Sequence, residues 1–302
     1  MTLVPAVCAV CDEDIVEPVY RGTIDPTEAA DPAAYFSSSR RVAGYLPIVR
    51  CVRCRLMMTS PQDDEVTLGR IYSELTDRAG EQDDEARSCN LEEQLALVER
   101  CHRPPGRLLD VGCGTGRFVC AAQKAGWEAT GVDASGWAVA RAGERCPDAR
   151  FRVGLLPAVD FPAGTFDVVT LWNVLEHLPR PVETLEKIRG WLARDGWLFL
   201  SLPNAASRIA RLMGKRWVLL LREHLWYFSP ATIAGLLSRS GLVLARAGPK
   251  RVSSSIAHIV GRLAQQPGMT GVAAGRLAGV GALRRLTVRV PVGEMYVVAR
   301  RA

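Results

Sequence analysis

The stretch from Asp110 to Gly116 is the part of the chain whose residue types are best suited to hold a ligand. It reads DVGCGTG and follows a short apolar run. Glycines at alternate positions permit a tight turn and a close approach of the backbone to a ligand, and a helix that begins after the turn presents N–H groups to an anion. A second acid, Asp133, ends the next apolar run, where its carboxylate can accept from two ribose hydroxyls. These residues predict a nucleoside cofactor, without separating a dinucleotide from another nucleoside.

The elements that position this turn follow from an alternation of apolar and amphipathic segments. Strands are predicted, with helices between most of them, at 107–111, 129–132, 151–153, 166–171, 197–202, 242–245 and 295–299. Such alternation requires a parallel sheet that helices cover on both faces. The predicted fold class is therefore α/β.

The chain divides into unequal parts around this alternation. Residues 1–60 form a predicted small domain, residues 61–89 a polar linker with weak helix signals, and residues 90–302 the α/β domain. The pattern from Asn90 to Glu93 is a capping box, which predicts Asn90 as the N-cap of a helix that runs to about Cys101. A segment at about 248–290, rich in Gly, Ala, Ser and Arg, is predicted to be an insert.

Two C-x-x-C pairs in the first 60 residues indicate a metal site. The four cysteines are Cys8, Cys11, Cys51 and Cys54. Two such pairs are the spacing of a structural zinc site with four cysteine ligands, although Asp12 and Arg55 stand where a knuckle often has glycine. The alternative is four reduced thiols. A redox role is disfavoured, because the strand and helix context of a redox motif is missing.

Four motifs bear on the chemistry of the α/β domain. They are Asp110–Gly116, Gly131–Asp133, Phe166–Val169 with Asn173–Leu178, and Gly196–Asn204. Together, over roughly residues 90–300, they resemble the motifs of class I S-adenosylmethionine-dependent methyltransferases, with Asp195-Gly196 in place of the usual paired glycine. The resemblance implies a Rossmann-like sheet of seven mostly parallel strands, with S-adenosylmethionine as the cofactor.

The resemblance also implies a role for each matching residue. The residues expected to line the methionine moiety are Gly112, Gly114, Gly116, Asp110 and Asn173. Asp133 is expected to bind the ribose, and Ala134 to lie near the adenine. Members of the family often carry an acid after the third strand, which holds the adenine amino group. The sequence at 154–157 is GLLP instead, so apolar contact from Leu156 is expected there.

Two histidines are the candidates for catalysis. Methyl transfer is an in-line displacement, and a hydroxyl acceptor needs a base for the proton that leaves. His224 lies in a segment that resembles the H-L-x-x-F-S-P stretch of relatives on the acceptor side, and it is our first candidate. His177, just after the fourth strand, is the second. Its alternative role is to orient a helix.

The whole N-terminal pattern resembles the metal-knuckle domain that precedes many bacterial methyltransferases of secondary metabolites, sugars and glycan intermediates. The predicted acceptor is therefore a small molecule, either free or linked to a carrier or nucleotide, with a hydroxyl as the favoured target. One alternative is an RNA base methyltransferase, which is disfavoured because the basic residues are not interleaved with aromatic ones. The other is a non-catalytic cofactor-binding protein, against which the complete Asp110–Gly116 and Asp133 motifs argue.

Charge is unevenly distributed along the 302 residues, whose formal net charge is +6. From Arg246 onward there are ten basic residues and one acid, Glu294. An apolar helical stripe is predicted there, made by Ile256, Ile259, Val260 and Leu263. It packs on the core or a second copy, or it brings segment 250–290 to a membrane surface. No run reaches the roughly 18 apolar residues of a membrane span and no signal-peptide pattern is seen, so a cytoplasmic location is expected.

Overall fold

The computed structural model describes residues 2–24, 44–76, 84–256 and 287–302. The part of the described chain up to Glu99 contains short strands and two helices. In chain order they are β1 (Leu3–Val4), β2 (Val16–Tyr20), β3 (Ile48–Cys51), β4 (Met57–Thr59), β5 (Gln62–Asp63), α1 (Glu65–Glu74) and α2 (Asp84–Glu99).

The remaining elements alternate between strand and helix. They are β6 (Arg107–Val111), α3 (Arg117–Lys124), β7 (Glu128–Asp133), α4 (Gly136–Arg145), β8 (Arg150–Val153), β9 (Phe166–Trp172), α5 (Pro181–Trp191), β10 (Leu192–Pro203), α6 (Arg208–Met213), β11 (Trp226–Tyr227), α7 (Pro230–Arg239), β12 (Leu242–Ser255) and β13 (Thr287–Arg301).

The large sheet has seven strands in the order β12-β13-β10-β9-β6-β7-β8. The pairs from β10 to β8 are all parallel, whereas β13 is antiparallel to both of its neighbours. Strand order reverses at β6, and ligands of open α/β sheets bind at the carboxyl ends of the strands beside such a reversal. The predicted α/β fold with seven mostly parallel strands is confirmed.

Strand residues alternate between two apolar cores, one on each face of the large sheet. Leu108 and Phe199 pack in the same core as the apolar side chains of α3. Leu109 and Leu200, their neighbours in sequence, pack with those of α5 and α7 on the other face. Both faces are therefore buried, which explains why the central strands read as continuous apolar runs.

The cysteine-rich segment forms a second sheet, in the order β11-β4-β3-β2. Its edge strand β11 comes from the α/β domain, more than 160 residues after β4, and pairs antiparallel with β4. Next to that pair, the Thr59 N–H donates to the Leu225 carbonyl at 2.9 Å, and the Leu225 N–H donates to the Glu176 carbonyl at 2.9 Å. The segment that contains Leu225 thus joins the small sheet to the loop after β9.

The structure corrects the prediction that Asn90 is a helix N-cap. Helix α2 begins at Asp84, so Asn90 lies within the helix. Its side chain instead accepts from the Ser253 N–H at 2.8 Å and donates to the Ser253 carbonyl at 3.0 Å. The residues from Asn90 to Glu93 fit the pattern of a capping box. The prediction was wrong because the local sequence does not show that a distant strand provides the hydrogen-bond partners of Asn90.

Two further stretches are more regular than their composition predicted. Residues 61–89, predicted to be a linker, contain β5, α1 with its N-cap Asp64, and the start of α2. The last two strands are longer than predicted and run into the expected insert from both ends, with Ser255 paired to Thr287. Most of the predicted apolar stripe, from Ile259 to Leu263, lies outside the described residues. In the described part of the chain, no helix is long and apolar enough to cross a bilayer.

We predict that Asn90→Ala lowers the free energy of unfolding by about 1–2 kcal/mol, because each of the two lost hydrogen bonds contributes about 1 kcal/mol. Urea unfolding of the ligand-free protein measures the change. The exposed Glu92, in the same helix, provides the matched control, and Glu92→Ala should shift the free energy by less than about 0.5 kcal/mol. Equal losses in both variants would contradict this role for Asn90.

Candidate functional site

A cavity of about 650 Å³ opens at the carboxyl ends of β6, β7 and β9. Seven of the eight residues predicted to bind the cofactor line it, namely Asp110, Gly112, Gly114, Asp133, Ala134, Leu156 and Asn173. Gly116 is absent from the lining. The structure therefore gathers these residues from four separate segments at the strand reversal.

Three glycines of the turn have positive φ, but for different reasons. A Cβ on Gly112 would lie 2.4 Å from a methyl of Val174, and one on Gly116 would lie 2.6 Å from the Cβ of Ala142. Gly116 therefore allows the close packing of α3 against α4 and does not line the cavity, and its role in binding the cofactor stays a prediction. A Cβ on Gly114 would meet no protein atom within 4 Å, so this glycine leaves open space at the cavity wall.

The Asp133 carboxylate is held against the glycine turn by backbone N–H groups. Its Oδ2 accepts from the Gly114 N–H at 2.8 Å and its Oδ1 from the Ser135 N–H at 2.9 Å. Burial raises the pKa of Asp133, and these backbone bonds oppose the rise. Each oxygen has a second lone pair, so the carboxylate can still accept from a ligand.

Asp110 lies deeper, at the end of β6, and only 3% of it is exposed. The Thr170 hydroxyl donates to its Oδ1 at 2.7 Å. Burial raises the pKa of Asp110 to about 7, with a smaller rise from the nearby Asp133 and an opposing effect from the Thr170 bond. The carboxyl group therefore changes charge near neutral pH.

Asn173 has a φ of 57°, in the left-handed region that asparagine tolerates better than most residues. Its Oδ1 accepts from the Ser201 hydroxyl at 2.7 Å and from the Lys250 Nζ at 3.3 Å. Lys250 also pairs with Glu294 at 2.8 Å. These contacts fix the wall of the cavity at the end of β9.

Sequence reasoning missed the part of the wall that β12 and β13 supply. Lys250 and Glu294 are direct cross-strand partners, and both line the cavity. Tyr72 of α1 lines it as well. One signal was available, because Glu294 is the single acid in a strongly basic segment. Its partner could not be identified, because the pairing register depends on the whole sheet.

The two candidate histidines occupy different positions. His177 lines the cavity, whereas His224 is buried and is not among the lining residues. The centroids of the two imidazole rings are 4.8 Å apart. Burial lowers the pKa of His177 well below its usual value, and the nearby His224 lowers it further. The geometry therefore reverses our order of preference, because a group that meets the acceptor must reach the cavity.

Both imidazole rings are anchored in the same way. His177 Nδ1 lies 3.0 Å from the Glu223 carbonyl, and His224 Nδ1 lies 2.8 Å from the Leu219 carbonyl. A carbonyl oxygen only accepts, so Nδ1 carries the hydrogen in each ring. In a neutral ring, Nε2 then keeps the lone pair.

The four predicted zinc ligands lie together beneath the small sheet. Their sulfur atoms are 3.3 Å apart for Cys8 and Cys54, and 3.6 Å apart both for Cys11 and Cys51 and for Cys8 and Cys11. Four sulfurs around a tetrahedral zinc, with bonds of about 2.3 Å, lie about 3.8 Å apart. Both the donor set and the spacing therefore fit a zinc ion.

Asp12 and Arg55, which stand where a knuckle often has glycine, adopt the backbone conformation of glycine. Asp12 has a φ of 56° and Arg55 a φ of 70°, which is the conformation that a glycine would supply. Each side chain is held by an ion pair: Arg55 with Glu17 at 2.9 Å, and Asp12 with Arg239 of α7 at 2.6 Å. The turns are therefore formed without glycine.

The raised pKa of Asp110 predicts a pH-dependent stability. The unfolded carboxyl titrates near 3.8 and the folded one near 7, so the folded state binds the proton more tightly. The stability that this provides is complete below pH 4 and is lost as the pH rises to 7, by up to about 4 kcal/mol. Urea unfolding of ligand-free wild type and Asp110→Asn, from pH 4.5 to 8, should show wild type losing stability relative to the variant. Parallel curves would contradict the burial argument.

Comparisons with known proteins were made for both sequence and fold. Residues 83–247, more than half of the chain, match the profile of a family described as a methyltransferase domain. A ubiquinone biosynthesis O-methyltransferase of Thiobacillus denitrificans is 30% identical over 148 residues, which is 45% of this chain and 64% of that protein. The Bordetella avium protein of the same name is 29% identical over 150 residues, 45% of this chain and 61% of that protein. The chain thus spans less than two thirds of these relatives.

Solved structures agree on the fold. The YcgJ protein of Bacillus subtilis superposes with a TM-score of 0.50 and 16% identity, covering 70% of this chain and 99% of that one. The PH0226 protein of Pyrococcus horikoshii gives a TM-score of 0.50 and 16% identity, covering 73% and 93%. With the profile match, the strand order and the four sequence motifs in agreement, the chain belongs to the methyltransferase domain family, among its class I S-adenosylmethionine-dependent members.

Proposed function

We propose that this protein transfers the methyl group of S-adenosylmethionine to a hydroxyl of a small-molecule acceptor. The observation that carries the proposal is the composition of one cavity. The glycine turn and Asp133 line the same cavity as His177, Lys250 and Glu294. The names of the relatives, ubiquinone biosynthesis O-methyltransferases, support an oxygen acceptor.

The residues of the turn fit the cofactor. Gly114 leaves open space where any side chain would fill the cavity. Asp133 keeps lone pairs for the ribose hydroxyls beyond those used by Gly114 and Ser135. Ala134 and Leu156 provide apolar contact for the adenine in the same wall. In its ionised form, Asp110 adds a negative charge beneath a cofactor that carries a sulfonium and an ammonium group.

The bound cofactor supplies a methyl group on a positively charged sulfur, which is a good leaving group. The protein therefore needs chiefly to align the acceptor oxygen with that methyl and to exclude water. Asn173, in the wall of the cavity, is fixed by Ser201 and Lys250. His177, neutral and at the wall, acts on the acceptor side, where the hydroxyl must lose its proton.

The Asp133 carboxylate provides the test of this function. We expect wild type to bind S-adenosylmethionine in calorimetry and to release S-adenosylhomocysteine with a panel of phenolic and sugar hydroxyl acceptors. Asp133→Ala should weaken cofactor binding at least about 100-fold, because two hydrogen bonds from ribose hydroxyls to a charged group contribute about 1.5–3 kcal/mol each. The control is Asp148→Ala, at an exposed acid beyond α4. Unchanged affinity in Asp133→Ala would overturn the cofactor assignment.

We also propose that the cysteine cluster holds a structural zinc ion and that residues 1–60 form the unit around it, followed by 61–89 and the domain 90–302. The sulfur spacing supports the ion. It would brace β3 and β4, and through β11 it would brace the segment that contains His224. The zinc would then support the acceptor side of the cavity without reaching it.

Elemental analysis tests the zinc proposal. Cys51→Ser should lower the zinc content of the purified protein by one equivalent and should lower its melting temperature, because ion binding contributes to folding. The exposed Cys101 gives the matched control, and Cys101→Ser should leave both values unchanged. Equal zinc content in Cys51→Ser and wild type would contradict the site.

A further inference from the structure

A carboxylate and two imidazoles come together where the loop after β9 meets the segment before β11. Glu176, His177 and His224 each offer one ligand atom, and these three atoms lie within 4.8 Å of one another. Glu176 and His177 are neighbours in the loop after β9, whereas His224 lies 47 positions after His177 in the sequence. One of the four motifs, Asn173–Leu178, contains Glu176 and His177, but none of them contains His224.

Backbone carbonyls fix the orientation of both imidazole rings. Both Nδ1 atoms donate to backbone carbonyls, of Glu223 and Leu219. In metal-binding histidines, the nitrogen that does not bind the ion commonly donates in this way, which fixes the tautomer and the ring plane. The rings of His177 and His224 therefore have the anchoring that metal ligands need.

Glu176 supplies the second, independent observation. The residue is completely buried, and within the described part of the chain neither of its carboxyl oxygens has a hydrogen-bond partner. An ionised carboxylate without hydrogen bonds is costly to bury, and such groups in proteins are usually paired or bound to a metal. The nearby Lys250 is already engaged by Glu294, Asn173 and Ser201.

We propose that Glu176, His177 and His224 bind a divalent transition-metal ion at the edge of the cavity. Two imidazoles and one carboxylate suit Zn²⁺, Mn²⁺, Co²⁺ or Fe²⁺. Bonds of about 2.1 Å bring ligand atoms to within about 4.2 Å of one another, so side-chain movements below about 1 Å complete the site. Three protein ligands leave positions open for an acceptor oxygen, and His177 faces the cavity where that oxygen would lie.

We assign the ion a role in the methyl transfer, and this role rests on the proposed function. The acceptor hydroxyl coordinates the ion, which lowers the pKa of the hydroxyl as it does for bound water. The proton leaves to solvent, the oxygen attacks the methyl carbon, and the carbon–sulfur bond breaks with its electron pair left on sulfur. No group changes oxidation state. His177 and His224 then act as ligands, which explains why the buried His224 matters although it does not reach the cavity.

Mn²⁺ is the probe of choice, because it prefers oxygen and imidazole ligands to the thiolates of the cysteine cluster. Titration of the zinc-loaded full chain, followed by the electron paramagnetic resonance of free Mn²⁺, should show one bound equivalent. Pulsed measurements of the bound ion should detect nitrogen couplings from two histidines. Glu176→Gln should weaken binding at least tenfold, and His224→Gln should remove one nitrogen coupling. The control is His102→Gln, at a histidine beside Trp127 and far from the cluster in sequence, which should bind like wild type.

The outcomes separate this proposal from the methyl-transfer proposal. Absence of saturable Mn²⁺ binding, or equal affinity in wild type and Glu176→Gln, overturns the metal site whether or not methyl transfer is found. Methyl transfer at the wild-type rate in Glu176→Gln overturns the role of the ion in catalysis. If the wild-type protein bound Mn²⁺ but did not bind S-adenosylmethionine, the proposed function would be overturned and the metal site would stand. Unfolding midpoints, measured for each variant, show that the comparison concerns folded protein.

Discussion

The backbone of Leu225 connects the two sheets, and the arrangement of the cavity depends on it. Its carbonyl accepts from Thr59 at the edge of the small sheet, and its N–H donates to the carbonyl of Glu176 in the loop after β9. The Thr59 hydroxyl adds a bond of 2.7 Å to the carbonyl of the preceding residue, His224. Because these bonds are buried, breaking them would leave unsatisfied polar groups. They therefore set the position of His224 against His177, and they make the cysteine cluster relevant to a site that it does not touch.

The second constraint on the cavity is its excess of buried acids. Asp110 and Glu176 are buried and Asp133 is half-buried at or near its wall, and burial raises the pKa of all three. Lys250, which lines the wall together with Arg117, is paired with a further acid, Glu294. Such a site favours cationic ligands, because a positive charge offsets the cost of desolvating the carboxylates. A sulfonium cofactor and a divalent ion are the two kinds of cation that our proposals place there.

Three turns in the sequence motifs have the backbone conformation of glycine at a residue of another type. Asn173, Asp12 and Arg55 all have positive φ, although none is glycine. Each is held by side-chain contacts: Asn173 with Ser201 and Lys250, and the other two by ion pairs. The motifs located these turns correctly because a turn occupies a few consecutive residues. The contacts that compensate for a missing glycine come from other elements, and no local pattern contains them.

The sequence by itself determined the α/β fold, the glycine turn, Asp133 at the end of its strand, and the two C-x-x-C turns of the cysteine cluster. All of these depend on short-range rules: the period of apolar residues, the conformational freedom of glycine, and the spacing of ligands within a knuckle. Only the tertiary structure decided that Asn90 binds Ser253, that β12 and β13 extend to close the cavity, that Gly116 packs beneath it, and that His177 and not His224 reaches it. The physical reason is that each of these depends on the register and packing of strands far apart in the chain, where one added residue would move every side chain to the other face.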